Sequence, residues 1–229
     1  MSHFAIAVIT KTGNQEEIAQ LLAPYNETDE KYYKLVEIKI KDRNISEFVE
    51  SLTAQEARLL LYGPTEDLMR KFAAYNNAFY KDFKLYERYN PDAIYDYYTI
   101  GGRDCLWFED VNEPYKVKDV DVSYKELNEA QLAYVKQQYE DMMQEKGWYK
   151  SSYVKERWPS VDDYIEEQTR PDIPYYFITP DGKLHSPGTI GWFATSTESF
   201  DSQKAHDKDW IETVKKYGDY YISICDAHI

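Results

Sequence analysis

The spacing of apolar and polar residues predicts strands at both ends of the chain and helices between them. Residues 3–10 (HFAIAVIT) form a run rich in Ile, Val and Ala, the pattern of a buried strand. Gly13-Asn14 marks a turn, and residues 15–22 carry helical spacing that Pro24 ends. Residues 32–41 (YYKLVEIKIK) alternate apolar and charged positions, the period of a strand with one wet face and hence of a sheet with one covered side. Asn44 or Ser46 is placed to cap a helix whose apolar positions include Phe48, Val49 and Leu52. Thr53 and Glu56 have the spacing of a capping box for the stretch AQEARLLLY, which Gly63-Pro64 stops. Another helix follows Thr65 through Leu68, Met69, Phe72 and Tyr75.

Residues 81–88 read as one short strand, and Asn90-Pro91-Asp92 as a turn leading into 93–100 and Gly101-Gly102. An acidic surface loop is expected over 109–121. Residues 123–146 place Leu127, Ala130, Leu132, Tyr134, Val135, Tyr139 and Met142 at mainly helical spacing, the longest predicted helix, stopped at Gly147. Ser160 and Asp163 open a shorter helix through Tyr164 and Ile165. Residues 174–179 form a strand, Pro180-Asp181-Gly182-Lys183 a hairpin turn, and Leu184-His185 its continuation. Pro187-Gly188 and Gly191 punctuate a tight segment around Trp192-Phe193. An amphipathic helix over 208–217 ends at Gly218, and residues 220–229 (YYISICDAHI) are a final strand. Chain ends are ordinarily frayed and polar, so this apolar ending is expected to dock in a sheet. The pattern predicts a single α+β domain over 1–229, with a mostly antiparallel sheet, a helical insertion over about 123–170 and a docked C-terminal strand.

Charge narrows the partners. The chain has 27 Lys and Arg against 41 Asp and Glu, a net charge of -14 in 229 residues. That balance repels nucleic acid and anionic membranes, so neither is an expected partner. It suits a basic host protein, including one whose nucleic-acid groove a carboxylate-rich surface would occupy; a merely solvating surface is the more frequent explanation of such a charge. The 23 Tyr and 5 Trp fit half-wet binding surfaces as well as ordinary sheet positions. Cys105 and Cys225 stand far apart without CxxC spacing, which speaks against a disulfide framework or a zinc knuckle. With no basic leader and no apolar window of about 18 residues, a soluble protein of a reducing cytoplasm is expected, of unassigned oligomeric state.

The most distinctive internal run is Tyr95-Asp96-Tyr97-Tyr98-Thr99-Ile100-Gly101-Gly102-Arg103. Paired glycines allow positive φ or a close backbone approach, and the arginine can hold a carboxylate or phosphate. It has neither P-loop nor GxGxxG spacing. Together with LLAPYNE (21–27), TPDGKLHSPGTIGWF (179–193) and the terminal ICDAHI, this run resembles a widespread family of bacteriophage and prophage proteins, along nearly the whole chain and in the same order. The resemblance implies a phage-like accessory protein of the host cytoplasm and carries no particular activity. The chain departs from the family pattern at Tyr95, Tyr97, Asp104 and Leu184, where tryptophan is usual, and at Ala227, where cysteine is usual. A metal site built on a terminal Cys-His pair is thereby placed in doubt.

Two candidate sites follow. Tyr97, Tyr98, Arg103, His185, Trp192, Asp226 and His228 could line one pocket for a nucleotide-like ligand, with stacking on the aromatic rings and Arg103 on a phosphate. Asp226 and His228, two residues apart on one strand face, could supply a general acid or base. The competing reading is structural: Arg103 and Asp226 as a buried ion pair, and His228 bonded to backbone. Zinc is disfavoured, because Cys225 should face away from Asp226, and no metal or cofactor is expected. The second candidate is an acidic surface of Glu109, Asp110, Glu113, Asp119 and Asp121, with Asp162, Asp163, Glu166 and Glu167. The leading reading is a binder that modulates a host cytoplasmic factor, a defence system among the targets, and not an enzyme. The alternative is a small-molecule binding protein or hydrolase built on Arg103, His185, Asp226 and His228. An assembly role in the phage particle is less attractive without repeats or heptads.

Overall fold

A computed structural model describes residues 3–39, 46–82, 84–101, 113–189 and 197–228. The fold is α+β. By internal contacts the chain divides into two compact units, Ala23–Asp96 and the combination of Met1–Leu22 with Tyr97–Ile229. The division falls on either side of 23–96, and the helical segment over 123–170 belongs to the larger unit.

The larger unit is built on a six-stranded sheet. Strand β1 (His3–Thr10) and strand β9 (Tyr221–His228) pair antiparallel over eight residues, from His3↔His228 to Thr10↔Tyr221. This is the docking expected of the last strand. Strands β5 (Tyr97–Ile100) and β6 (Tyr115–Lys116) pair with the other edge of β9. On the far side β1 pairs with β7 (Tyr176–Ile178), which pairs with β8 (Leu184–His185) through the expected hairpin, where Gly182 takes a φ of 81°. The β1–β7 pair is parallel, so the sheet is mixed although most of its ladders are antiparallel.

The pleat sends alternate residues to opposite faces. On one face Ala7, Ile9, Phe177, Ile222 and Ile224 form a core with Val117, Trp210 and Val214. Trp210 and Val214 come from helix α8 (Phe200–Lys216), capped by a Ser199–Ser202 capping box. On the other face lie Phe4, Ile6, Val8 and Ile178, all buried, and helix α1 (Gln15–Leu22) packs on β1 with Ile18 and Leu22 buried.

Helix α8, not the one predicted at 123–146, is the longest among the described residues, and it starts eight residues before the amphipathic pattern does. The reason is that its first turns bury polar residues. Gln203 donates to Asp207, Arg170 pairs with Asp207, and His206 Nε2 donates to the Pro174 carbonyl at 2.9 Å. Helix α5 (Glu129–Met143) begins late because Asn128, with Gln131, forms a capping box there, and Lys125 N donates to Thr169 O in the extended run before it. Helix α6 (Ser151–Arg157) has only Val154 buried, too little apolar pattern to be read from sequence. With helix α7 (Val161–Thr169), opened by the expected Ser160–Asp163 capping box, α5 and α6 enclose a second core of Val135, Val154, Trp158 and Tyr164.

The smaller unit has strands β2 (Lys34–Ile38), β3 (Phe79–Lys81) and β4 (Lys84–Tyr89) in the order β2-β4-β3, all antiparallel. The single strand predicted at 81–88 is thus a hairpin, broken at Asp82, which takes a φ of 50°. Helices α2 (Ser46–Glu50), α3 (Ala54–Tyr62) and α4 (Glu66–Tyr75) supply Phe48, Leu60, Leu68, Met69 and Phe72 to a core with Leu85. The Thr53–Glu56 capping box opens α3 as its spacing indicated. Leu35 and Phe79 on the sheet's other face are more than half exposed, as alternation implies.

Burial lowers the pKa of His206, with Arg170 and His185 adding to the effect, against the Pro174 carbonyl and Asp207, which favour the proton. The unfolded chain takes up this proton near pH 6.5, the folded chain only at lower pH. Between those values the unfolded state binds more protons, so stability is complete above about pH 6.5 and falls as pH falls below it. Urea unfolding is expected to show lower stability at pH 5.5 than at pH 7.5, and a smaller difference in His206→Gln.

Candidate functional site

One end of the main sheet gathers titratable and aromatic side chains on a single face. Pairing of β9 with β1 and β5 sets Tyr97, His228 and His3 in one row across three strands, with Thr99, Asp226 and Ala5 in the next. His3 Nδ1 lies 3.0 Å from Asp226 Oδ1. The Asp226 side chain is 7% exposed and that of His3 20%. The edge of one imidazole meets the face of the other between His3 and His228, centroids 5.2 Å apart. Tyr97, half exposed, stacks on the buried His228 at 4.6 Å and 18°. The glycine that starts the Gly-Gly-Arg motif abuts this group: Gly101 N donates to Ile224 O, and Asp226 N donates to Gly101 O. Gly101 takes a φ of 73°, which explains glycine there.

His3 was not foreseen. The missing signal is the register of the first strand on the last, which sets the two histidines directly opposite. A carboxylate on Nδ1 orients an imidazole and leaves Nε2 to accept a proton, the geometry of a general base. His3 Nε2 has no hydrogen bond among the described residues. Asp226 also serves the fold, as a buried acceptor joining the ends of the two longest strands. Asp226→Ala is expected to cost about 1–3 kcal/mol, and Asp226→Asn, which keeps an acceptor oxygen, less than half as much; urea unfolding of both variants checks this.

Other predicted pocket residues are placed apart. His185 stands on β8, three strands from Asp226, or about 14 Å at the usual strand spacing. It stacks on Phe177 at 4.5 Å, and its Nδ1 lies 3.3 Å from Asp209 Oδ2. Burial holds its pKa low, helped by Lys183 and opposed by Asp209. Tyr98 faces the opposite side of the sheet, beside Cys225, and burial raises its phenol, with Cys225 adding to it. Cys225 does face away from Asp226, as alternation requires. Arg103 and Trp192 lie outside the described residues, and so does the expected Arg103–Asp226 pair. Among the described residues, no three His, Cys, Asp or Glu side chains are grouped to hold a metal ion.

The acidic candidates divide in the same way. Glu109 and Asp110 lie outside the described residues. Glu113, Asp119 and Asp121 are exposed, although the chain between them is not all surface loop: Tyr115–Lys116 joins the sheet and Val117 is buried. Asp121 accepts from Ser123 N, which lowers its pKa. Asp162 is exposed, whereas its neighbours are engaged. Asp163 and Glu166 both pair with Lys204, at 3.4 and 2.7 Å. Glu167 pairs with Arg157 and accepts from the Trp158 indole. Arg157 also reaches Glu198 at 2.9 Å. These carboxylates hold helices together, and their pairing with Lys204 and Arg157 offsets half of their charge.

Four exposed aromatic residues of α5, α6 and the turn between them do not stand out in the sequence pattern. Trp148, between α5 and α6, is fully exposed. Tyr149 and Tyr153 stack at 5.6 Å and 10°, each about half exposed, and Tyr134 on α5 is more exposed still. Burial raises the pKa of the Tyr164 phenol, with Glu167, Tyr134 and Tyr149 adding to the effect.

No family model matches the chain, and neither a curated protein nor a solved structure is similar to it. No helix among the described residues is long and apolar enough to cross a membrane.

Proposed function

We propose that this chain is a phage-like accessory protein that binds and modulates a basic host protein in the host cytoplasm. The observation that carries the reading is the exposure of Trp148, Tyr149, Tyr153 and Tyr134, with Tyr149 and Tyr153 stacked on each other. Water-exposed indole and phenol rings are costly to leave uncovered and supply much of the energy at protein interfaces. The net charge of -14 supplies the second element, long-range attraction for a basic partner and repulsion of nucleic acid. Among the described residues, Glu113, Asp119, Asp121 and Asp162 are the exposed carboxylates of the acidic candidates that remain to provide it. The internal ion pairs of Asp163, Glu166 and Glu167 move the weight from carboxylates to aromatic rings, so charge steers the encounter and aromatic area holds the complex.

The test is an affinity pull-down of the tagged protein from bacterial lysate, washed at low and at high salt. The reading expects a stoichiometric basic protein at low salt that is depleted at high salt. Recovery of no protein above the tag control, or only of acidic proteins indifferent to salt, would overturn it.

A further inference from the structure

A groove of about 340 Å³ runs along α8, on the side away from the sheet core. One wall is a cationic stripe. Lys204, Lys208, Ile211 and Lys215 all line the groove. At 100° per residue they fall within an arc of about 60°, over about 16 Å of helix. Three ammonium groups thus share one narrow track in a chain whose acids outnumber its bases by 41 to 27. Tyr124, outside α8, also lines the groove and is 44% exposed. Glu166 and Glu212, also on the groove, engage Lys204 at 2.7 Å and Lys208 at 3.9 Å. Lys215 has no ion-pair partner among the described residues.

We propose that this groove binds a nucleoside polyphosphate, with the phosphates on Lys208 and Lys215 and the base against Tyr124. Two ammonium groups two turns apart on one helix face match an anion carrying several charges along its length, better than they match a single carboxylate. The volume lies in the range of small-ligand sites. A half-exposed tyrosine and an isoleucine on the same groove offer apolar area for a base, where stacking adds affinity regardless of base identity. The Lys208–Glu212 contact is long and both side chains are well exposed, so a phosphate displaces it at little cost. Lys204 is the exception, held by Glu166, Asp163 and the Phe200 ring 4.4 Å away, and it shapes the end of the groove.

The test is isothermal titration of the full chain with ATP, inorganic pyrophosphate and adenosine, for the native protein, Lys208→Glu/Lys215→Glu and Tyr124→Ala. Circular dichroism checks the fold of each. Saturable ATP binding is expected, weakened at least about tenfold in the double variant, as charge reversal at a phosphate contact predicts. Tyr124→Ala should weaken ATP several-fold and leave pyrophosphate unchanged. Because both lysines are exposed, the double variant leaves the core intact and carries the test alone if Tyr124→Ala is unstable. No saturable ATP binding, or equal ATP binding by the double variant, would overturn the proposal. Pyrophosphate binding as tightly as ATP would overturn its base-stacking half. The aromatic surface at Trp148 takes no part, so its partner binding stands or falls separately.

Discussion

Trp210→Ala is expected to lower folding stability by about 3–5 kcal/mol, the largest single effect in the chain. Trp210 is fully buried and is the main contact of α8 with the sheet, packing on Phe177 with centroids 5.1 Å apart among Ala7, Ile9, Ile222 and Ile224. Alanine would leave a cavity between a helix and the three central strands, which cannot close without moving both. Against a total stability of about 5–15 kcal/mol for ordinary domains, that loss leaves the variant partly unfolded at moderate temperature. Trp210→Phe separates packing from polarity. The indole Nε1 is buried and has no hydrogen-bond partner among the described residues, so phenylalanine loses some packing but removes an unsatisfied donor. The Phe variant should lie within about 1.5 kcal/mol of the native protein. Urea unfolding followed by far-UV circular dichroism measures both. A native-like midpoint for the alanine variant would mean that α8 is not anchored through this residue.

Trp148→Ala should do the reverse, changing stability by no more than about 0.5 kcal/mol while weakening partner binding by about 2–4 kcal/mol, or roughly 30-fold to 1,000-fold. The Trp148 ring contributes almost nothing to the fold because it is fully exposed. Removing Tyr149 and Tyr153 as well forfeits their mutual stacking, about 1 kcal/mol of stability at most. The dissociation rate should carry most of the loss, since the charge that governs encounter is untouched. Reversal of exposed acids such as Asp119 and Asp121 should act on the association rate and its salt dependence instead.

Where chemistry and pattern coincide, the fold was legible from sequence. The limits of β1 and α1, the capping boxes at Thr53 and Ser160, and the hairpin at Gly182 all emerge from local rules. Docking of β9 was legible too, because Tyr220 to Cys225 is an apolar run of the kind buried strands carry. What stayed hidden depends on distant residues. The first half of α8 buries Gln203, His206 and Asp207, which look like surface residues until Arg170 and Pro174 arrive to satisfy them. The parallel β1–β7 pair joins segments more than 160 residues apart, and no local pattern announces it. The candidate pocket shows the same limit: spacing on β9 correctly put Asp226 and His228 on one face, but strand order decided that His3 joins them and His185 does not.

The most direct test of the account is the affinity of the partner captured in the pull-down for the native protein and for the Trp148→Ala/Tyr149→Ala/Tyr153→Ala variant, measured by isothermal titration at one salt concentration. The account predicts a loss of at least about 100-fold, near 2.7 kcal/mol, in a variant that unfolds within about 1 kcal/mol of the native protein. Equal affinity in a properly folded variant would contradict it, and would show that the exposed rings between α5 and α6 are not where this protein meets its partner.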